Sequence, residues 1–163
     1  MGRQDRADYE WVFRAAFPRV HRTVTLVLRD RDRAEEITQE AFLKLLQNWR
    51  KVSCYEQPEA WVRRVAIRMA VREVARESSR RSREQAARRP QSPAEPDPGL
   101  ADALAALAPR QRAAVVLHYY EDLPVLEIAR VLNVSESTVK QHLHRARARM
   151  ARLLTEEAGD RVD

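Results

Sequence analysis

This chain has one cysteine, three glycines and no long apolar run, and each scarcity closes off a class of explanation. With Cys54 alone, neither a disulfide framework nor a CxxC metal pair can form within the chain. The glycines, Gly2, Gly99 and Gly159, stand outside the segments expected to fold. A Gly-rich phosphate loop or dinucleotide fingerprint is therefore excluded, because both need glycine for close backbone approach. The opening MGRQDRADYE is charged and lacks the apolar stretch of a signal peptide. No apolar run approaches the ~18 residues of a membrane span. A soluble, cytoplasmic protein with no membrane insertion is expected, with no cofactor and no metal site.

Charge is what the chain has in abundance. Of its 163 residues 33% are charged, the net charge is +6 and the pI is near 10.1. Such a balance favours an anionic partner. Of 30 basic residues 27 are arginine. Arginine's planar fork suits phosphates and guanine edges, although a GC-rich genome produces the same bias.

The segment RRSREQAARRPQSPAEPDPG, 80–99, holds half of the eight prolines and almost no large apolar side chains. It cannot bury a core and is expected to stay extended. The chain thus reads as a domain over 5–79, a flexible linker over 80–99 and a second domain over 100–155. Residues 1–90 carry 21 basic and 13 acidic side chains, whereas 91–163 carry 9 and 11. Both domains read as helical. Over 34–49, Ala34, Ile37, Ala41, Phe42, Leu45 and Trp49 fall on one arc. The stretch 58–76 opens with Pro58 and Glu59, a good helix start. No stretch alternates with period two, so the fold class is all-α.

Near the end, SESTVKQHLHRARARMARLL concentrates base within the acidic half, with no acid from Ser137 to Thr155. Just upstream, Pro124 opens a short helix, with Ile128, Ala129 and Leu132 as its buried side. Asn133, which tolerates the left-handed conformation, stands at the turn. Ser135 is the expected N-cap of the next helix. Helix, tight turn and capped helix make a helix-turn-helix. On the second helix Val139, Leu143, Ala146, Met150 and Leu153 form the apolar stripe. Ser137, Gln141, His144 and Arg145 face away from it, flanked by Thr138 and Lys140, and can reach base edges in a major groove. Arg147, Arg149 and Arg152 are placed for phosphates. His142 and His144 lie on different faces, which argues against a shared metal.

Two further surfaces stand out. On the 34–49 helix, Glu36, Gln39, Glu40, Leu43 and Gln47 oppose the core, and an apolar Leu43 among acids and amides suggests a docking patch. On the 58–76 helix, Arg64, Arg68, Arg72 and Arg76 recur every four residues beside Trp61. Like charges at that spacing cost a helix a few tenths of a kcal/mol per pair, a cost that a polyanion would reverse. A basic row with an aromatic suits single-stranded DNA.

With these residues in view, LAPRQRAAVVLHYYEDLPVLEIARVLNVSESTVKQHLHRARARM resembles the promoter-reading domain of extracytoplasmic-function sigma factors of bacterial RNA polymerase. RDRDRAEEITQEAFLKLLQNWRKV and PEAWVRRVAIRMAVREVAR resemble their other domain, which binds core polymerase and opens promoters. The resemblance covers about residues 9–154. It implies that the chain is not an enzyme but a promoter-specificity subunit. Its partners would be core RNA polymerase, through the clamp of the largest subunit and the flap, and promoter DNA, with an anti-sigma factor as a possible inhibitor. By the same resemblance the 34–49 helix grips the clamp, and the 58–76 helix meets the minus-ten element. Residues 80–99 would thread the channel that nascent RNA later occupies.

The loop KVSCYEQ, 51–57, matches the family loop that captures a flipped minus-ten base. Its Tyr55 either stacks on that base, or packs on its own domain with Cys54 as a buried filler. The chain departs from the family at Ile67–Arg68, where Arg-Asn is frequent, at Arg72, where an acid is frequent, and at Asn133 and His142. These departures bear on which promoter is read. A helix-turn-helix regulator acting without polymerase would leave residues 1–79 unexplained. A nuclease would need clustered carboxylates, and here the acids are dispersed.

Overall fold

A computed structural model describes residues 2–84 and 98–160. All regular elements among the described residues are helical. The chain forms two compact units, Met1–Glu73 and Val74–Asp163.

The first unit is built on α1 (Arg3–Leu28), α2 (Arg31–Gln47), the single turn α3 (Trp49–Val52) and the start of α4 (Pro58–Glu84). With no glycine at hand, the α1–α2 corner is turned by Arg29 itself, in the left-handed conformation at φ 61°. Asp30 then caps α2, its carboxylate accepting the Arg33 amide at 2.9 Å. That cap starts α2 earlier than the expected 34. Asn48 ends it before the expected 49, leaving Trp49 to α3, although Trp49 still enters the core. An aromatic cluster fastens α1 to α2. The rings of Phe13 and Phe42 lie 4.9 Å apart, Tyr9 meets Trp49 edge-on at 5.4 Å, and the Tyr9 hydroxyl donates to the Phe42 carbonyl at 3.1 Å. Beneath them Val24, Val27, Ala34, Leu45, Val62 and Ala66 are fully buried.

Helix α4 continues to Glu84, into the segment expected to be extended, because RRSRE holds good helix formers and the first proline comes only at Pro90. Pro98 already opens α5 (Pro98–Ala105). The rest of the proline-rich segment, 85–97, lies outside the described residues. The expectation that every glycine stands outside the fold is corrected as well. Gly99 falls within α5, Gly159 falls within the last helix, and the Gly2 amide donates to Asp5 ahead of α1.

The second unit comprises α5, α6 (Pro109–Val115), a π-helical turn (Val116–Tyr120), α7 (Val125–Leu132) and α8 (Glu136–Asp160). Its core is Leu107, Ala113, Leu117, Ile128, Leu132, Val139, Leu143 and Ala146. In the π turn the Glu121 amide reaches back to Val116, and Asp122 closes it in the left-handed conformation. The turn carries Glu121 inward, to 4% exposure, while Tyr119 stays outside.

Candidate nucleic-acid and polymerase interfaces

The helix-turn-helix forms as its local chemistry dictates. Asn133 takes the left-handed conformation (φ 55°, ψ 50°) and its amide donates to the Ala129 carbonyl. The Ser135 hydroxyl accepts the Thr138 amide at 3.2 Å and contacts the Ser137 and Thr138 hydroxyls. Val139, Leu143 and Ala146 are buried. Ser137, Lys140, Gln141, His144, Arg145, Arg147, Arg149 and Arg152 are all exposed, and Thr138 is half-buried. Arg147 is partly engaged, its Nε donating to the Leu143 carbonyl at 3.3 Å. The structure also adds a residue that periodicity did not single out. Gln111 of α6 lines a shallow basic groove with His144, Arg145, Arg149 and Arg152. No pattern along the chain could have shown this, since the pairing of α6 with α8 is a tertiary contact.

His142 and His144 diverge as expected: His144 is exposed and His142 half-buried. Burial lowers the His142 pKa below its ordinary 6.5, and the charges of Arg110 and Arg145 lower it further.

On α2, Glu36, Gln39, Glu40, Leu43 and Gln47 are exposed, and Leu43 presents 52% of its surface. Several already have neighbours. Arg33 donates to Glu36 at 2.6 Å, Gln39 donates to Glu35 at 3.1 Å, and Glu40 pairs with Lys44 at 3.3 Å. These are exposed contacts worth at most ~1 kcal/mol each, easily exchanged for a partner.

On α4, Arg64, Arg68, Arg72 and Arg76 are exposed, and Trp61 beside them is half-buried. Among the described residues, Arg64, Arg68 and Arg72 form no ion pair. In the preceding loop Tyr55 is 41% exposed and Cys54 is exposed. Cys54 as a buried filler is therefore corrected. The loop is pinned by the Tyr55 and Cys54 amides bonding back onto α3, which leaves both side chains outward.

Two helical units, one with a helix-turn-helix and the other with a basic row beside an aromatic, have the features of a DNA-binding protein. Comparison with known proteins agrees. Residues 12–80 match the Sigma-70 region 2 family and residues 99–150 the Sigma-70, region 4 family. The RNA polymerase sigma-E factor of Streptomyces coelicolor is 31% identical, over 72% of this chain and 69% of that one. The ECF RNA polymerase sigma factor SigM of Mycobacterium tuberculosis is 29% identical, over 92% of this chain and 79% of that one. In fold the chain is similar to sigma factor RpoE from Bartonella quintana, solved in complex with the anti-sigma factor NepR. That likeness has a TM-score of 0.68 at 17% identity, over 91% of this chain and 97% of that one.

The chain belongs to the extracytoplasmic-function sigma factors. It is a transcription initiation factor that partners core RNA polymerase and promoter DNA, and it directs the enzyme to promoters. The regulator acting without polymerase is not favoured. No helix among the described residues is long and apolar enough to cross a membrane.

Proposed function

We propose that two domains, residues 5–79 and 100–155 joined through 80–99, divide the work. In the first domain the exposed face of α2, Glu36, Gln39, Glu40, Leu43 and Gln47, docks on the polymerase clamp. The row Arg64, Arg68, Arg72 and Arg76, with Trp61, holds the melted strand at the minus-ten element, and Tyr55 stacks on an extruded base. In the second domain Ser137, Thr138, Lys140, Gln141, His144 and Arg145 read minus-thirty-five bases, while Arg147, Arg149 and Arg152 hold phosphates. The chain works in the cytoplasm by binding and strand capture, with no covalent step of its own. Because the Bartonella relative was solved with an anti-sigma factor, an inhibitor of that kind is proposed here too.

The observation that carries this reading is the arginine row. The like charges of Arg64, Arg68 and Arg72, four residues apart and open to solvent, cost the free helix stability and are reconciled by a bound polyanion. Run-off transcription with core polymerase on genomic DNA tests it and finds the promoter. Tyr55→Ala is expected to slow open-complex formation on duplex templates, since stacking is worth ~1–3 kcal/mol per base. A pre-melted bubble should partly rescue it. Normal transcription of duplex templates by that variant would place the base pocket elsewhere.

A further inference from the structure

Helix α1 carries a second acid-free basic face, turned away from the aromatic core. Between Trp11 and Arg29 there is no Asp or Glu. Trp11, Arg14, Ala15, Pro18, Arg19 and Arg22 recur at helical spacing, and all are exposed. Trp11 presents 71% of its surface, the most of any large apolar side chain described. An indole so exposed is unusual, because Trp is highly buried on average. Beside it runs an open groove of about 360 Å³ between α1 and the first turns of α4. Trp11, Ala15 and Arg19 line one side and Gln57, Ala60 and Arg63 the other, with Glu59 the single acid on its rim.

We infer that this groove is a binding site for single-stranded nucleic acid, in which one base stacks on Trp11 and Arg14 and Arg19 hold the flanking phosphates. Three features select that occupant. The first is charge: Arg14 and Arg19 form no ion pair among the described residues, so their charge is available to phosphate. The second is shape. A flat exposed indole over a floor of small alanines admits a planar ring from the side, whereas a docked peptide helix needs several apolar anchors at i, i+3, i+4 and i+7. Duplex DNA keeps its ring faces stacked, and only a melted strand can offer one. The third is continuity. Gln57 is the last residue of the loop proposed above to capture an extruded base, and it also lines this groove. A strand leaving that loop thus has a basic and aromatic path onto α1. In this respect the inference rests on the proposed role of the loop.

The test uses holoenzyme assembled from the full chain and core polymerase on a promoter found by run-off. A photo-cross-linking residue, Trp11→p-benzoylphenylalanine, is expected to label DNA in open complexes and not in complexes held closed at low temperature. Cross-links to a polymerase subunit only, or none, would overturn the inference. Binding of holoenzyme to a fluorescent oligonucleotide carrying the non-template promoter strand should weaken about 5- to 150-fold in Trp11→Ala, with partial recovery in Trp11→Phe. Unchanged binding in Trp11→Ala would equally overturn it. Since Trp11 is exposed, a circular dichroism melt should not shift. The role of the loop is read separately from Tyr55→Ala, so either idea can fail without the other.

Discussion

Arg33 near the start of α2 forks onto Glu73 of α4, its Nε and Nη2 each 3.2 Å from a carboxylate oxygen. Its third nitrogen donates to Glu36 at 2.6 Å, and the Glu73 hydrogen bond, then Glu36, raise the guanidinium pKa further still. One side chain thereby couples the helix of the proposed docking face to the helix of the arginine row. The pair is partly exposed, so its worth is modest, ~1 kcal/mol. Arg33→Lys should lose most of that, because an ammonium cannot make the fork. A double-mutant cycle with Glu73→Gln, read by denaturant unfolding, should show a coupling of ~0.5–1 kcal/mol. Zero coupling would mean that packing alone fixes the two helices.

Arg145 and Arg152 share the α6–α8 groove but should behave differently. Arg145→Ala is expected to cost ~1–3 kcal/mol and to relax preference at one base pair. Arg152→Ala should weaken all sequences alike and reduce the salt slope by ~1. Binding titrations over promoter variants at several salt concentrations separate the two. Uniform loss in both would erase the division between base and phosphate contacts.

Leu43 has 52% of its surface open, and among the described residues Gln39 bonds to Glu35 on its own helix. The double variant Leu43→Asp with Gln39→Ala should abolish co-purification with core polymerase while leaving the thermal melt unchanged. A folded variant that still co-purifies would show that Leu43 is merely an exposed apolar side chain.

His142 links stability to pH. Its Nδ1 is buried with no hydrogen-bond partner among the described residues, and burial, then Arg110 and Arg145, lower its pKa in the fold. The unfolded chain therefore binds a proton more readily than the folded one below the ordinary value of ~6.5. The stability that neutral His142 permits is complete above that value and falls as pH drops toward the depressed folded pKa. Thermal melts should show the wild type losing more than His142→Leu between about pH 7.5 and about pH 5.5. Parallel losses would assign the effect to other groups.

Arg29 turns the α1–α2 corner at φ 61°, a conformation costing an L-residue ~1–2 kcal/mol. Glycine removes that strain but adds ~0.4–1 kcal/mol of unfolded-state entropy. Arg29→Gly should therefore stabilise the chain by ~0.5 kcal/mol in denaturant unfolding. A loss instead would point to the arginine side chain as the larger contributor.

The helix-turn-helix was legible in the sequence because each of its parts is local. Asn133 reaches the left-handed region at its own small cost, Ser135 caps an amide three residues on, and Val139, Leu143 and Ala146 share a face by the pitch of one helix. The exposure of Leu43 and of the α4 arginines followed from the same periodicity. Helix ends were less legible, since the Asp30 cap and the break at Asn48 compete with the apolar arc that suggested 34–49. What only the tertiary structure decided depends on residues far apart in the chain. Arg33 meets Glu73 across forty positions, Arg110 bears on His142, Gln111 joins the α8 arginines, and Trp11 faces a groove whose far wall is α4. Helical period determines which side chains share a face, but which face meets which is set by the packing of whole helices.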